Sequence, residues 1–114
     1  MGVDRTDYIM YGWKLPYKIK DRNDDIIDLW DEKLLPYTEG HKGVDERLIV
    51  DGMCGEYCVF GISIKTGGDQ YSGWEFEELK IDELDSNSLI KKYSEIFNNE
   101  IDEEPKLFLF SHYS

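Results

Sequence analysis

Residues 47–66 read RLIVDGMCGEYCVFGISIKT, and their pattern decides the fold class. Arg47 to Gly52 and Glu56 to Thr66 are two runs rich in β-branched and aromatic residues, separated only by Met53, Cys54 and Gly55. A break that short around a glycine suits an antiparallel hairpin; a parallel crossover needs a dozen residues or more. Alternation in the second run puts Cys58, Phe60, Ile62 and Ile64 on one face, with Tyr57, Val59, Ser63 and Lys65 opposite. The first set is the more apolar and is expected to face the core.

Upstream, Asp7 to Lys14 (DYIMYGWK), closed by Pro16, reads as a further strand. Its period of two sets Ile9, Tyr11 and Trp13 against Tyr8 and Met10. Downstream, Gly73 to Ile81 is expected as a strand whose Glu75, Glu77 and Glu78 are exposed on one face or lie at an edge. Leu89, Tyr93, Ile96 and Phe97 recur at i, i+4, i+7 and i+8, which predicts a helix over Asn87 to Asn98. Asp85 or Ser86 caps it, and Leu84 is placed to staple its entry. Lys106 to His112 reads as a terminal strand.

Residues 17–46 are less regular. Ile26, Trp30 and Leu34 recur at helical spacing, which predicts a short helix opened by Asn23 or Asp24 and ended by Pro36. Lys18, Ile19 and Lys20 could instead begin a hairpin. Tyr37 to Glu46 is a polar, glycine-containing loop. Strand-rich and helix-rich segments do not alternate regularly, which argues against a doubly wound parallel sheet. The expected fold is α+β: an antiparallel or mixed sheet of four to five strands with one or two helices packed on one face, residues 1–114 forming a single domain.

An apolar share of 40% and an aromatic share of 14% in 114 residues suffice for one modest core. No apolar run approaches the roughly 20 residues of a membrane-spanning helix, and the first residues lack a secretory layout. A cytoplasmic protein is therefore expected. Against 13 basic residues stand 25 acidic ones, a formal net charge of −12. That field repels nucleic acid and anionic lipid and favours a protein partner with a basic surface.

Catalytic and metal motifs are sparse. Asp21, Asn23, Asp25 and Glu32 match side-chain ligand positions of a calcium loop, but Ile26 stands where the turn wants glycine and Asp28 where an apolar residue packs. Cys54 and Cys58 lack the spacing of a zinc knuckle. Neither metal nor cofactor is expected. His41, between Gly40 and Gly43, has the most catalytic setting of any residue, and an enzyme built on His41 or the two thiols is a minor alternative to a non-enzymatic role.

Charge distribution carries more. Asp21 to Glu32 holds six acids and one arginine, Glu75 to Asp85 six acids and one lysine, and Glu95 to Glu104 five acids and no base. Carboxylates held on a rigid scaffold can occupy a partner's nucleic-acid groove, gaining from steering and counterion release. The candidate contacts are Asp24, Asp25, Asp28, Asp31 and Glu32, with Glu75, Glu77, Glu78, Asp82 and Glu83, and with Tyr71 and Trp74 as aromatic anchors. Three solvated edges spread around the molecule would give the same composition. A different class of function, a binder that sequesters a nucleotide signal, would draw on Trp13, Tyr17, Lys18 and Lys20.

The opening Met1 to Tyr8, together with Asp51-Gly52-Met53, Gly55-Glu56-Tyr57 and Phe108-Leu109-Phe110-Ser111-His112, resembles small proteins encoded by tailed bacteriophages. The resemblance carries over no functional residue. It implies an accessory product that binds a host protein, as DNA mimics and inhibitors of restriction or CRISPR effectors do.

Overall fold

The computed structural model describes residues 5–51, 55–68 and 84–113. Along the chain run β1 (Arg5–Pro16), a 3-10 turn (Glu32–Leu34), α1 (Leu35–Thr38), β2 (Glu46–Val50), β3 (Tyr57–Gly68), α2 (Ser86–Phe97) and β4 (Lys106–Tyr113). The four strands form one antiparallel sheet in the order β2-β3-β1-β4. This is an α+β fold, and the β2–β3 hairpin stands where the sequence puts it. The expected strand Gly73 to Ile81 lies outside the described residues, as do Met53 and Cys54.

The main core lies between α2 and one face of the sheet. Leu89, Tyr93 and Phe97 of α2 are buried against Trp13 and Leu15 of β1, Leu48 and Val50 of β2, and Cys58 and Phe60 of β3. Aromatic rings bind the layers: Tyr93 meets Trp13 edge-on at 5.3 Å, and Phe97 meets Phe60 at 5.2 Å. Full burial of each such side chain stabilises by about 1.5–3 kcal/mol. The helix begins where Asp85 accepts from the Ser88 amide and hydroxyl, at 3.2 and 2.7 Å. It stops where Asn98 turns left-handed at φ 49°.

The opposite face is also apolar. Tyr8, Met10, Ile49 and Val59 form a second, smaller buried cluster, flanked by Tyr57 and Phe110. A flat sheet could not assemble it. Thr6 and Pro16 would lie about 33 Å apart along a flat strand. Yet His112, the partner of Thr6, reaches to 3.3 Å from Tyr57, the partner of Pro16. The sheet therefore cups towards this face. It does so across the pair Gly12 and Gly61, where a Cβ on Gly12 would come within 2.0 Å of the Phe60 carbonyl oxygen.

Two expectations need correction. In β3 the register slips at Ile64: Ser63 pairs with Met10 and Lys65 with Ile9. The strict alternation that put Ile64 beside Ile62 and Lys65 opposite is thereby interrupted, and paired residues share a face, so Lys65 falls on the side of Ile9. The helix expected from Ile26 through Leu34 is absent. A bridge between Lys20 and Ile26 closes a tight loop, and the Ile27 amide donates to the Ile19 carbonyl at 2.8 Å. The hairpin alternative starting at Lys18 is the course the chain takes. Asp21 accepts from the amides of Asn23 and Asp25 at 2.8 and 3.1 Å, and Asp24 sits at φ 66°. Side chains of this type offer the backbone a turn in place of a helix. Pro36 stands in the first turn of α1 and does not end a helix, as befits a residue whose missing amide costs nothing there.

Candidate functional site

Loop 17–31 is held at its base by the end of α2. The Arg22 amide and Nε both donate to the Asn98 carbonyl, at 3.0 and 3.2 Å, and the Asn99 amide group donates to the Lys20 carbonyl at 3.0 Å. Leu29 and Leu34 sink into the core and pin the far side. Trp13 donates through Nε1 to the Glu103 carbonyl at 2.8 Å, tying the segment after α2 to β1. The start of the acidic segment Asp21 to Glu32 is thus fastened to residues 98–99, immediately before the second acidic segment, Glu100 to Glu104.

On this surface Asp24, Asp25, Asp28, Asp31 and Glu32 are all exposed. Several also shape the loop: Asp28 accepts from the Trp30 amide at 3.0 Å, Asp31 from the Lys33 amide at 3.0 Å, and Asp24 pairs with Lys20 at 3.2 Å. A carboxylate accepts about four hydrogen bonds, so these oxygens keep capacity for a partner. Between the loop and α2 lies a cleft of about 300 Å3 with Asp21, Asp28 and Asp31 and one cation, Lys33, among its walls and Ile27, Leu34 and Ile96 lining its apolar part. Acid above an apolar floor suits a long cationic side chain, which buries its methylenes and keeps its head polar.

Ile26 and Trp30 belong to the same segment and are each 59% exposed. Their helical spacing suggested a core stripe, whereas the loop turns both outward. The signal that could have found them is the Asp-rich run, which favours turns and breaks the helix that would have buried them. Of the other sequence candidates, Glu75, Glu77, Glu78, Asp82, Glu83, Tyr71 and Trp74 lie outside the described residues.

The grouping of Trp13, Tyr17, Lys18 and Lys20 as a nucleotide pocket does not survive as a unit. Trp13 is buried in the main core, its indole nitrogen spent on Glu103. His41 is exposed and lies 3.0 Å from the exposed Glu39, a surface pairing of a kind worth little. Cys58 is fully buried, and burial pushes its thiol up to about 12. Its Sγ points at the Pro16 carbonyl at 3.5 Å. A thiol so rarely ionised is a poor nucleophile and metal ligand. Among the described residues, no group of three or more His, Cys, Asp or Glu is placed to hold a metal ion.

Sequence reasoning missed a polar cluster across the cupped face. The Tyr57 hydroxyl lies 3.3 Å from His112 Nδ1, and Asp51 is buried nearby, accepting from the Glu56 amide at 3.1 Å. Burial holds the His112 imidazole below the ordinary histidine range, and the Asp51 carboxylate acts the other way. The hydroxyl and the ring nitrogen form one hydrogen bond, with the donor set by the ring's tautomer. Parity along the terminal strand, which sets His112 on the face of Phe108 and Phe110, was readable in the sequence; its meeting with Tyr57 was not.

Compared with known protein families, with curated proteins and with solved structures, the chain matches none. No helix among the described residues is long and apolar enough to cross a membrane.

Proposed function

We propose that this chain is a binding protein, not an enzyme, that docks on the basic surface of a host protein which itself contacts nucleic acid, and inhibits it by occupying that surface. The observation that carries the reading is the exposure of Trp30 and Ile26, each 59% accessible, on a backbone-fixed loop that also turns Asp24, Asp25, Asp28 and Asp31 outward, with Lys18, Lys20 and Arg22 exposed near its start. Exposed acids alone would suit solubility. An exposed tryptophan among them is costly in water and is the residue type that dominates interface energetics. The charge of −12 speeds the encounter with a cationic partner, and Trp30 with the acid-walled cleft beside Ile27 supplies the short-range fit.

Supporting the mimic form of this reading is the fastening of the first acidic segment to residues 98–99, immediately before the second, which lengthens the negative track beyond a single loop. The resemblance to phage accessory proteins supplies the host context. The experiment is affinity capture from bacterial lysate at low and high salt, comparing the natural chain with Trp30→Ala and with the double change Asp25→Lys and Glu32→Lys. A basic, nucleic-acid-binding protein captured at low salt and lost in both variants is the expected result. Capture indifferent to these substitutions overturns the reading.

A further inference from the structure

On the cupped side of the sheet lies a cavity of about 230 Å3 whose chemistry is at odds with the rest of the chain. Acidic residues number 25 in 114, yet none of the described residues lining this cavity is acidic. Its polar groups are Arg47, His112, Thr6 and Thr38, and its aromatic walls are Tyr8 and Trp30. Arg47 is half-buried, held by one hydrogen bond and packed over Gly40. Its Nε donates to the Tyr37 carbonyl at 3.2 Å, and its guanidinium carbon lies where a Cβ on Gly40 would come within 2.8 Å. Fixing one edge of the guanidinium leaves the Nη donors for an oxyanion, at little further entropic cost. His112 has its Nδ1 on Tyr57, which leaves Nε2 as the free position of the ring.

From this set we infer that the cavity is a binding site for a small planar anion of mononucleotide size, with its phosphate on Arg47 and its ring beside Trp30. A volume of about 230 Å3 falls below the usual range of about 300–1,000 Å3 for pockets of drug-sized ligands, which excludes a dinucleotide and leaves room for one ring or one phosphoryl group inside the mouth. Trp30 stands at the rim with its side chain largely in solvent, where a ring can cover it. The site shares Trp30 with the docking surface proposed above and is otherwise built from different residues. Arg47 takes no part in the acidic segment, and Asp25 and Glu32 take no part in the cavity.

The test is titration calorimetry of the full chain with AMP, UMP, inorganic phosphate and adenosine. AMP or UMP is expected to bind, with adenosine and phosphate each weaker than the nucleotide. Arg47→Gln should weaken the nucleotide at least about tenfold, the loss that goes with a charge-assisted hydrogen bond. Trp30→Ala, at an exposed position that folding does not need, should weaken it several-fold, while Lys91→Gln on α2 should leave it unchanged. No heat with AMP or UMP at millimolar concentration overturns the assignment. So does nucleotide affinity that survives both Arg47→Gln and Trp30→Ala, or phosphate binding as tightly as AMP. Binding that fails here while Asp25→Lys and Glu32→Lys still abolish partner capture removes the cavity and leaves the docking surface standing.

Discussion

Gly12 and Gly61 face each other where β1 crosses β3, so closely that a Cβ on either would strike the other strand's backbone: 2.0 Å from the Phe60 carbonyl oxygen in one case and 2.2 Å from the Tyr11 carbonyl oxygen in the other. Backbone cannot swing aside as a side chain can. This crossing lets the sheet cup, and the cup brings Tyr57 to His112 and closes the second core.

Gly12→Ala and Gly61→Ala are each expected to destabilise by about 3 kcal/mol, the upper end for overpacking. For a domain of this size that lowers Tm by more than about 10 °C. Thermal unfolding followed by circular dichroism reads it. A fall of only one or two degrees in either variant would mean the crossing is not as tight as described.

Phe60 touches Trp13, Tyr93, Phe97 and Tyr37 and is fully buried. Phe60→Ala should cost about 3–5 kcal/mol, a large part of a small domain's stability. Urea titration measures the change. Trp30→Ala, on the exposed loop, should by contrast shift the midpoint by no more than about 0.5 kcal/mol.

Cys58 should resist alkylation in the native protein, because its thiol is buried and titrates at about 12. Mass spectrometry of iodoacetamide-treated protein would show the Cys58 peptide unmodified under native conditions and modified in denaturant. Rapid native labelling at Cys58 would reopen a thiol-based role.

His112 titrates below an ordinary histidine because burial disfavours its charged form. A histidine whose folded pKa is depressed takes up its proton more readily when unfolded. Its contribution is therefore complete above the unfolded pKa of about 6.5 and declines as pH falls through that value towards the folded one. Unfolding free energy should drop over this window in the natural chain, and the drop should shrink in His112→Gln. An identical pH profile for the two proteins would contradict the assignment. Tyr57→Phe removes the hydroxyl that meets the ring and should cost about 0.5–1.5 kcal/mol at neutral pH.

Much of the fold was legible. The period of two in Tyr57 to Ile62, the helical stripe Leu89, Tyr93 and Phe97 with its Asp85 cap, and the terminal strand all stand as read, because each is a local pattern that its own burial rewards. Residues 17–34 were misread for a definite reason. Ile26, Trp30 and Leu34 fit a helical wheel, but Asp21, Asp28 and Asp31 capture backbone amides and hold turns in place of helical bonds. Periodicity counted apolar positions and gave no weight to that competition. At the site, the acids Asp24 to Glu32 were found by composition, whereas Trp30 and Ile26 as outward residues followed only from the broken helix. Tyr57 and His112 meet, with Asp51 nearby, and Arg47 and His112 line one cavity, through long-range pairing in the sheet that spacing along the chain does not encode.

The most direct measurement is the affinity for the captured basic partner, determined across a salt series for the natural chain, for Trp30→Ala, and for Asp25→Lys with Glu32→Lys, each first shown to keep its Tm. Asp24→Asn can be added, since asparagine also tolerates the left-handed backbone at that position. Affinity should fall steeply with salt in the natural chain, fall less in the charge-reversed protein, and drop at least about tenfold for Trp30→Ala, as a hot-spot residue requires. Equal affinities and equal salt slopes in all of these proteins would place the contact elsewhere on the molecule and contradict the docking surface proposed here.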